Sequence, residues 1–299
     1  NSSINVGFQN DITNSTGSVI NAGTENLLSG SSDSSINVGT ENVVTNSSGS
    51  AIDAGTNNSL SGSNDSLISA GTGNKVTDSN NSSLVVGTLN SLSGSNDSSI
   101  TAGTENSLSG SDDSFISAGT ENSITDSTGS AILAGEENSL SGSENSSTLV
   151  GQKNIIENSK RSSIGAGSGN YVSGNSSFIG AGDQNKVVKS QSAILAGRDN
   201  TVSGDHSIIG GGFLNTGLGE NGSILGGRDN LIGENTNSAS ILGGRDNEVK
   251  GGNQSSLLGG RENKISGSFS SLVGGSGNSL FGDGIVLLGG EGNTASGKF

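Results

Sequence analysis

The stretch Ala102-Gly103-Thr104-Glu105-Asn106-Ser107-Leu108-Ser109-Gly110-Ser111-Asp112-Asp113-Ser114 decides how this chain folds, because the chain writes it repeatedly. One period earlier, the line from Val86 to Gly94 differs from its first nine residues only in Val86 for Ala102 and Leu89 for Glu105. One period later, Ala118 to Asn122 spells the same five residues again, followed by Ser123-Ile124. Self-similarity at a fixed short period marks an array in which each copy is one small unit that stacks on the next.

Aligned on [Ile/Leu]-x-[Ala/Val/Gly]-Gly-x-x-Asn-x-[Leu/Ile/Val], nineteen copies run from Ile4 to the copy that opens at Leu287. The spacing is 16 residues from Ile4 to Ile164 and then mostly 15, with 17 between Ile224 and Ile241 and 16 between Ile241 and Leu257. Every copy has Gly at the fourth position, from Gly7 to Gly290, and Asn three residues later. Those asparagines are Asn10, Asn26, Asn42, Asn58, Asn74, Asn90, Asn106, Asn122, Asn138, Asn154, Asn170, Asn185, Asn200, Asn215, Asn230, Asn247, Asn263, Asn278 and Asn293. The apolar ends are looser: Thr148 opens one copy, and Gly217 and Ala295 close two others.

Within a copy, Ile100 and Ala102 stand two apart, which places both on the inward face of one short strand; Asn106 and Leu108 make a second such pair. Gly103-Thr104-Glu105 and the run from Ser109 to Ser114 are turn-like in composition. No 3.6-residue apolar stripe survives a glycine every few residues, so helix is excluded. The predicted fold is all-β, a parallel β-solenoid of about 19 coils, each 15–16 residues long. Coils rising by roughly 4.7–4.9 Å would make a rod of about 90 Å. Length changes fall in the Ser/Gly/Asn turn after the second strand, where they are expected to disturb no core position. The repeated Gly is expected to supply a φ > 0 turn or room for close backbone approach. The Asn row is expected to be a structural ladder, bonded from coil to coil. Ligand or metal contacts are the alternative, against which stands the weakness of a neutral amide as a cation ligand.

Composition fits this object and no ordinary globule. Hydrophobic residues are 28% of the 299, aromatics 3%, there are 52 glycines, and Pro, Cys, Met and Trp are absent. Without periodicity, such a chain with net charge −15 would be read as disordered. One coil buries about three apolar side chains, so a lone thin stack is marginal and either cooperative stacking or side-by-side packing of chains must support it. The absence of Cys leaves the compartment open, and no apolar run reaches membrane-helix length. The chain begins in mid-repeat, which predicts a piece processed or cut from something longer.

Charge and hydropathy split the array in two. Residues 1–152 hold sixteen acidic residues against Lys75 alone; residues 153–299 hold twelve of each sign. The residue between the two inward positions of the first strand is mostly polar early (Asn5, Asn21, Asn37, Asp53) and usually apolar later (Leu133, Leu149, Leu195, Leu225, Leu242, Leu258, Val273, Leu288). A stripe pointing away from the interior needs a cover, so these are candidate inter-chain contacts, with Gly211, Gly226, Gly243, Gly259, Gly274 and Gly289 turned inward beside them. The alternative is that the later coils exchange their faces internally. Arg198-Asp199, Arg228-Asp229, Arg245-Asp246 and Arg261-Glu262 are expected to pair between adjacent coils, each exposed pair worth under about 1 kcal/mol.

Catalytic chemistry is missing from the sequence. It offers one His, His206 in the turn Ser203-Gly204-Asp205-His206-Ser207, one Tyr, Tyr171, and carboxylate pairs such as Asp112-Asp113 and Glu136-Glu137 on a convex surface. No catalytic, cofactor or metal residues are predicted. Gly274 to Gly282 approaches a calcium-binding nonapeptide, but Asn278 stands where that motif needs Asp and the period is wrong. Ice binding is a further alternative, resting on an outward row of Thr24, Thr40, Thr56, Thr72, Thr88, Thr104 and Thr120, interrupted by neighbouring Glu25, Glu41, Glu105 and Glu121. The acidic half would repel nucleic acid, and no basic aromatic surface exists.

Ser99-Ile100-Thr101-Ala102-Gly103, Ser163-Ile164-Gly165-Ala166-Gly167, Ser223-Ile224-Leu225-Gly226-Gly227 and Ser271-Leu272-Val273-Gly274-Gly275 resemble the head repeats of trimeric autotransporter adhesins of the YadA type. The resemblance spans the chain. It implies a left-handed parallel β-roll, three chains around one axis, and adhesion at a bacterial surface. The coil is longer than that family's usual one, and no neck, stalk or anchor follows Phe299. The expected role is a non-enzymatic extracellular rod for spacing, display or adhesion, a homo-oligomer with no nucleic-acid partner and no membrane insertion in this segment. Parallel coils leave open backbone edges, so a self-assembling extracellular filament is the main rival.

Overall fold

The computed structural model describes residues 1–297. The chain forms two compact units, residues 1–153 and a second beginning at Asn154. Both are parallel β-solenoids with one sequence copy per coil, about nineteen in all, and no helix occurs among the described residues. In the first unit, one sheet stacks two-residue strands from Ser3–Ile4 to Ser147–Thr148, and a second stacks three-residue strands from Asp11–Thr13 to Ser139–Ser141. Every pairing is parallel and joins residues 16 apart, as Ile100 with Ile116 and Leu108 with Ile124. A third ladder, one residue wide, runs through Thr24, Thr40, Thr56, Thr72, Thr88, Thr104 and Thr120.

The core is thinner and more polar than the alternation predicts. In the coil of the opening stretch, Ile100 and Leu108 are fully buried, and with them Asn106, Ser111 and Ser114. Ala102 is only half-buried, which corrects the expectation that it faces inward. The chain bends at Ala102, and the successive amides of Thr101 and Ala102 both donate to the next coil, to Ile116 O (2.9 Å) and Ser117 O (3.0 Å). Period-two alternation therefore stops at Ile100. Likewise a Cβ added at Gly226, Gly243, Gly259 or Gly274 would meet nothing within 4 Å, so these glycines face open space and do not reshape the interior.

Two columns of buried serine replace the expected surface turn. Ser114 Oγ donates to Ser127 O of the next coil (2.7 Å) and accepts from the Ser130 amide (3.0 Å). Ser111 Oγ donates to Ser109 O (2.9 Å) and accepts from the Ser127 amide (2.9 Å). Each small hydroxyl thus satisfies backbone that a turn would otherwise leave bare inside, a role that buried Thr236 takes in the seventeen-residue coil, donating to Glu234 O (3.4 Å) and accepting from the Gly251 amide (2.8 Å).

Beyond the repeated Gly, itself at positive φ (Gly103, 117°), three left-handed corners bend each sixteen-residue coil, at Glu105 (φ 56°), Gly110 (φ 59°) and Asp113 (φ 53°). The corner at Glu105 reverses the direction of donation: Thr104 N gives to Gly119 O of the next coil, and Glu105 N gives to Thr88 O of the preceding one. Gly, Asn and Asp suit such corners; Leu89 (φ 56°, 55% exposed) does not. Leu89→Gly is expected to raise unfolding free energy by about 0.5–1 kcal/mol in a urea titration, relief of the left-handed strain outweighing the entropy of the added glycine.

In the second unit, the fifteen-residue coils lack the Gly110-type corner, and their second strands shorten to two residues, as Tyr171–Val172. This change reaches the core, contrary to expectation. Gly174 takes the place of buried Ser111, and its carbonyl accepts from Ser162 Oγ (2.8 Å). A Cβ at Gly174 would lie 1.9 Å from Lys189 O, and one at Gly267 1.7 Å from Gly282 O. Removing one corner draws successive coils together there, and the serine column gives way to glycine.

Candidate interaction surfaces

The asparagines form an internal row in each unit. The Asn106 amide N–H and Nδ2 both donate to Asn90 Oδ1 (3.0 and 3.1 Å), and Nδ2 also donates to Gly119 O (2.9 Å). One side chain so ties three coils together. The repeated Gly is required by the same geometry: Gly103 has φ 117°, and a Cβ there would lie 2.0 Å from Gly119 O and 2.5 Å from Asn106 Nδ2. Asn90 and Asn106 are buried, with no route for a ligand to reach their amides.

The stripe residues are all exposed, from Leu133 at 37% to Leu288 at 77%. In the second unit five are register neighbours without a gap: Leu225, Leu242, Leu258, Val273 and Leu288 each follow a core residue paired in the ladder Ile224, Ile241, Leu257, Leu272 and Leu287. Beside this ridge runs the trough of glycines with open space above them. Leu195 stands apart, because Gly210 interrupts the column.

The arginines occupy the one-residue ladder of the second unit, as Arg198, Phe213, Arg228, Arg245 and Arg261. Their carboxylate partners are in the same coil and not the next: Arg198–Asp199 (3.6 Å), Arg228–Asp229 (3.0 Å), Arg245–Asp246 (3.3 Å) and Arg261–Glu262 (2.8 Å). The left-handed corner at the acidic residue folds its side chain back on the neighbouring arginine, which corrects the expected inter-coil pairing. Arg198 and Arg228 flank the Phe213 ring from either side, 4.7 and 5.5 Å from its centre. Sequence reading missed this sandwich, whose signal was Phe213 in the arginine column. Such exposed contacts are worth about 0.5–1 kcal/mol each.

His206 lies exposed at a left-handed corner (φ 55°). Among the described residues no three His, Cys, Asp or Glu side chains gather as a metal ion would require. The seventeen-residue coil opens a shallow polar notch lined by Lys189, Asp205, Glu220, Glu234 and Asn237.

The fold and these surfaces define the class as a parallel β-solenoid. No family model matches the chain, and no curated protein matches it. Two solved structures align with it at very low similarity. One is a protein from Desulfovibrio desulfuricans assigned as an acetyltransferase, at 11% identity over 71% of this chain and 66% of that one, TM-score 0.13. The other is the polySia-specific acetyltransferase NeuO, at 13% identity over 88% and 82%, TM-score 0.11. At these TM-scores neither carries an argument about fold or chemistry.

Proposed function

We propose that the chain is a non-enzymatic structural or adhesive element of the cell exterior, whose second unit associates with copies of itself. The observation that carries this reading is the unbroken ridge of Leu225, Leu242, Leu258, Val273 and Leu288 beside the glycine trough. Ridge and trough share one repeat, so they complement a second copy and no surface of another period. Exposed apolar rows of this kind mark association sites. Charge agrees: the second unit has twelve acidic against eleven basic residues, so copies meet there without net repulsion, while the first has sixteen against two. The likeness of the Ser-Ile-x-Ala-Gly lines to YadA-type heads supports three chains and an adhesive role.

Light scattering on the chain is expected to give three times the mass of one chain. Leu242→Glu with Leu258→Glu is expected to yield monomers with an unchanged β circular-dichroism spectrum. Mass growing with concentration would favour the filament instead. A stable wild-type monomer would sink the association reading.

A further inference from the structure

Two columns of opposite charge run side by side along one corner of the second unit. The first is the one-residue ladder of Arg198, Phe213, Arg228, Arg245 and Arg261. The second is the residue that follows each of them, Asp199, Leu214, Asp229, Asp246 and Glu262, all left-handed with φ between 53° and 58°. Backbone fixes both columns. The Arg228 amide donates to Gly244 O of the next coil (2.9 Å), and the Asp229 amide to Phe213 O of the preceding one (3.0 Å). Successive members of a column therefore lie one strand spacing apart, about 4.8 Å.

Pairing inside each coil leaves binding capacity over. Arg228 uses Nε to donate to Asp229 Oδ2 (3.0 Å), and its two terminal nitrogens make no hydrogen bond among the described residues. Phe213 has a guanidinium over each face, so its edge is what remains for a partner. Leu214 is 40% exposed, in a backbone conformation that a leucine adopts at a cost. Four arginines are matched by four acidic neighbours, so the corner has no net charge with which to attract a polyanion or a polycation. What it carries is an ordered pattern of charge.

We propose that this corner docks against the same corner of a second copy, parallel and in register. A two-fold axis running along the columns exchanges them. Each arginine then faces the acidic residue of the same coil in the other copy, twice per coil, and Phe213 faces Leu214. Antiparallel contact sets arginine against arginine. A slip of one coil sets Phe213 against a carboxylate and Leu214 against a guanidinium, so the apolar pair fixes the register that a uniform run of charges leaves open. The preceding coil extends the match, with Asp183 as acceptor facing the Gln184 amide. The first unit has no such pattern: its ladder threonines are followed most often by Glu, and the same operation there brings carboxylates to neutral hydroxyls. The inference rests on the second unit meeting its own copies, and adds to the leucine ridge a separate contact with a direction. Exposed ion pairs are weak singly and are screened by salt, which separates this contact from the apolar one.

The chain has no cysteine, so single cysteines report which positions meet. Full chains carrying Arg261→Cys, mixed with chains carrying Glu262→Cys and mildly oxidised at about 50 mM salt, are expected to form the mixed disulfide. Arg261→Cys mixed with Arg198→Cys, which join only in antiparallel contact, should give about tenfold less. Arg228→Glu with Arg245→Glu in both chains is expected to cut the first product about tenfold by setting like charges together. Adding Asp229→Arg with Asp246→Arg, which exchanges the two columns, is expected to restore it. Salt at about 500 mM should remove the product while light scattering still reports the mass of the ridge assembly; loss of that mass would instead be a failure of the ridge. No mixed disulfide, an equal yield from the antiparallel pair, a yield indifferent to salt or to charge reversal, or no recovery on column exchange would each overturn the proposal.

Discussion

Gly103→Ala is expected to cost about 4 kcal/mol or more, while Gly259→Ala changes stability by less than about 1 kcal/mol and in the favourable direction. Both residues belong to the same repeated pair of positions, yet the structure treats them oppositely. At Gly103 the backbone is left-handed (φ 117°) and a Cβ would strike a carbonyl of the next coil at 2.0 Å; at Gly259 the added carbon meets nothing within 4 Å. The first substitution must push two coils apart, and the second only trims the freedom of the unfolded chain. Urea unfolding of both variants decides it. Similar losses at the two sites would show that the Gly103 carbon can be absorbed by the stack.

The second large effect is expected at Asn106→Ala, with a loss of about 3–5 kcal/mol, because several buried partners are orphaned together. Removal of the side chain takes a donor from Asn90 Oδ1 and Gly119 O, and leaves the buried Asn122 amide without its acceptor. Hydrogen exchange should accelerate most in the coils of Asn90, Asn106 and Asn122, since each coil contacts only its neighbours. Protection unchanged at the Asn122 amide would rule out the ladder as a source of stability.

The fold was legible because period, glycine and asparagine recur in every copy, and only stacking explains a fixed period with so little apolar content. Ile100, Leu108 and Asn106 were readable as core from their spacing. Ala102 was not, because strand alternation assumes an extended backbone and this chain bends one residue past Ile100. Ser111 and Ser114 were hidden for a different reason. Serine next to Gly and Asp looks like solvent-facing turn, and only the paired carbonyls of neighbouring coils reveal why a hydroxyl is needed inside. The left-handed conformation of Glu105 and Leu89 was also invisible, since neither residue type favours it and the ladder imposes it from both sides. Of the candidate surfaces, the leucine row was visible as a column in the repeat, whereas the Arg198–Phe213–Arg228 sandwich depended on a register between turns that the sequence pattern does not display.

Within the second unit, coils of 15, 16 and 17 residues share one ladder, with all variation absorbed at the corner between Ile232 and Ala239 and its equivalents. That tolerance makes the corner a natural port for grafting. A foreign peptide spliced between exposed Asn237 and Ser238, which leaves buried Thr236 in place, would be displayed at one chosen height along the unit, and further copies in neighbouring coils would be spaced by a single strand separation.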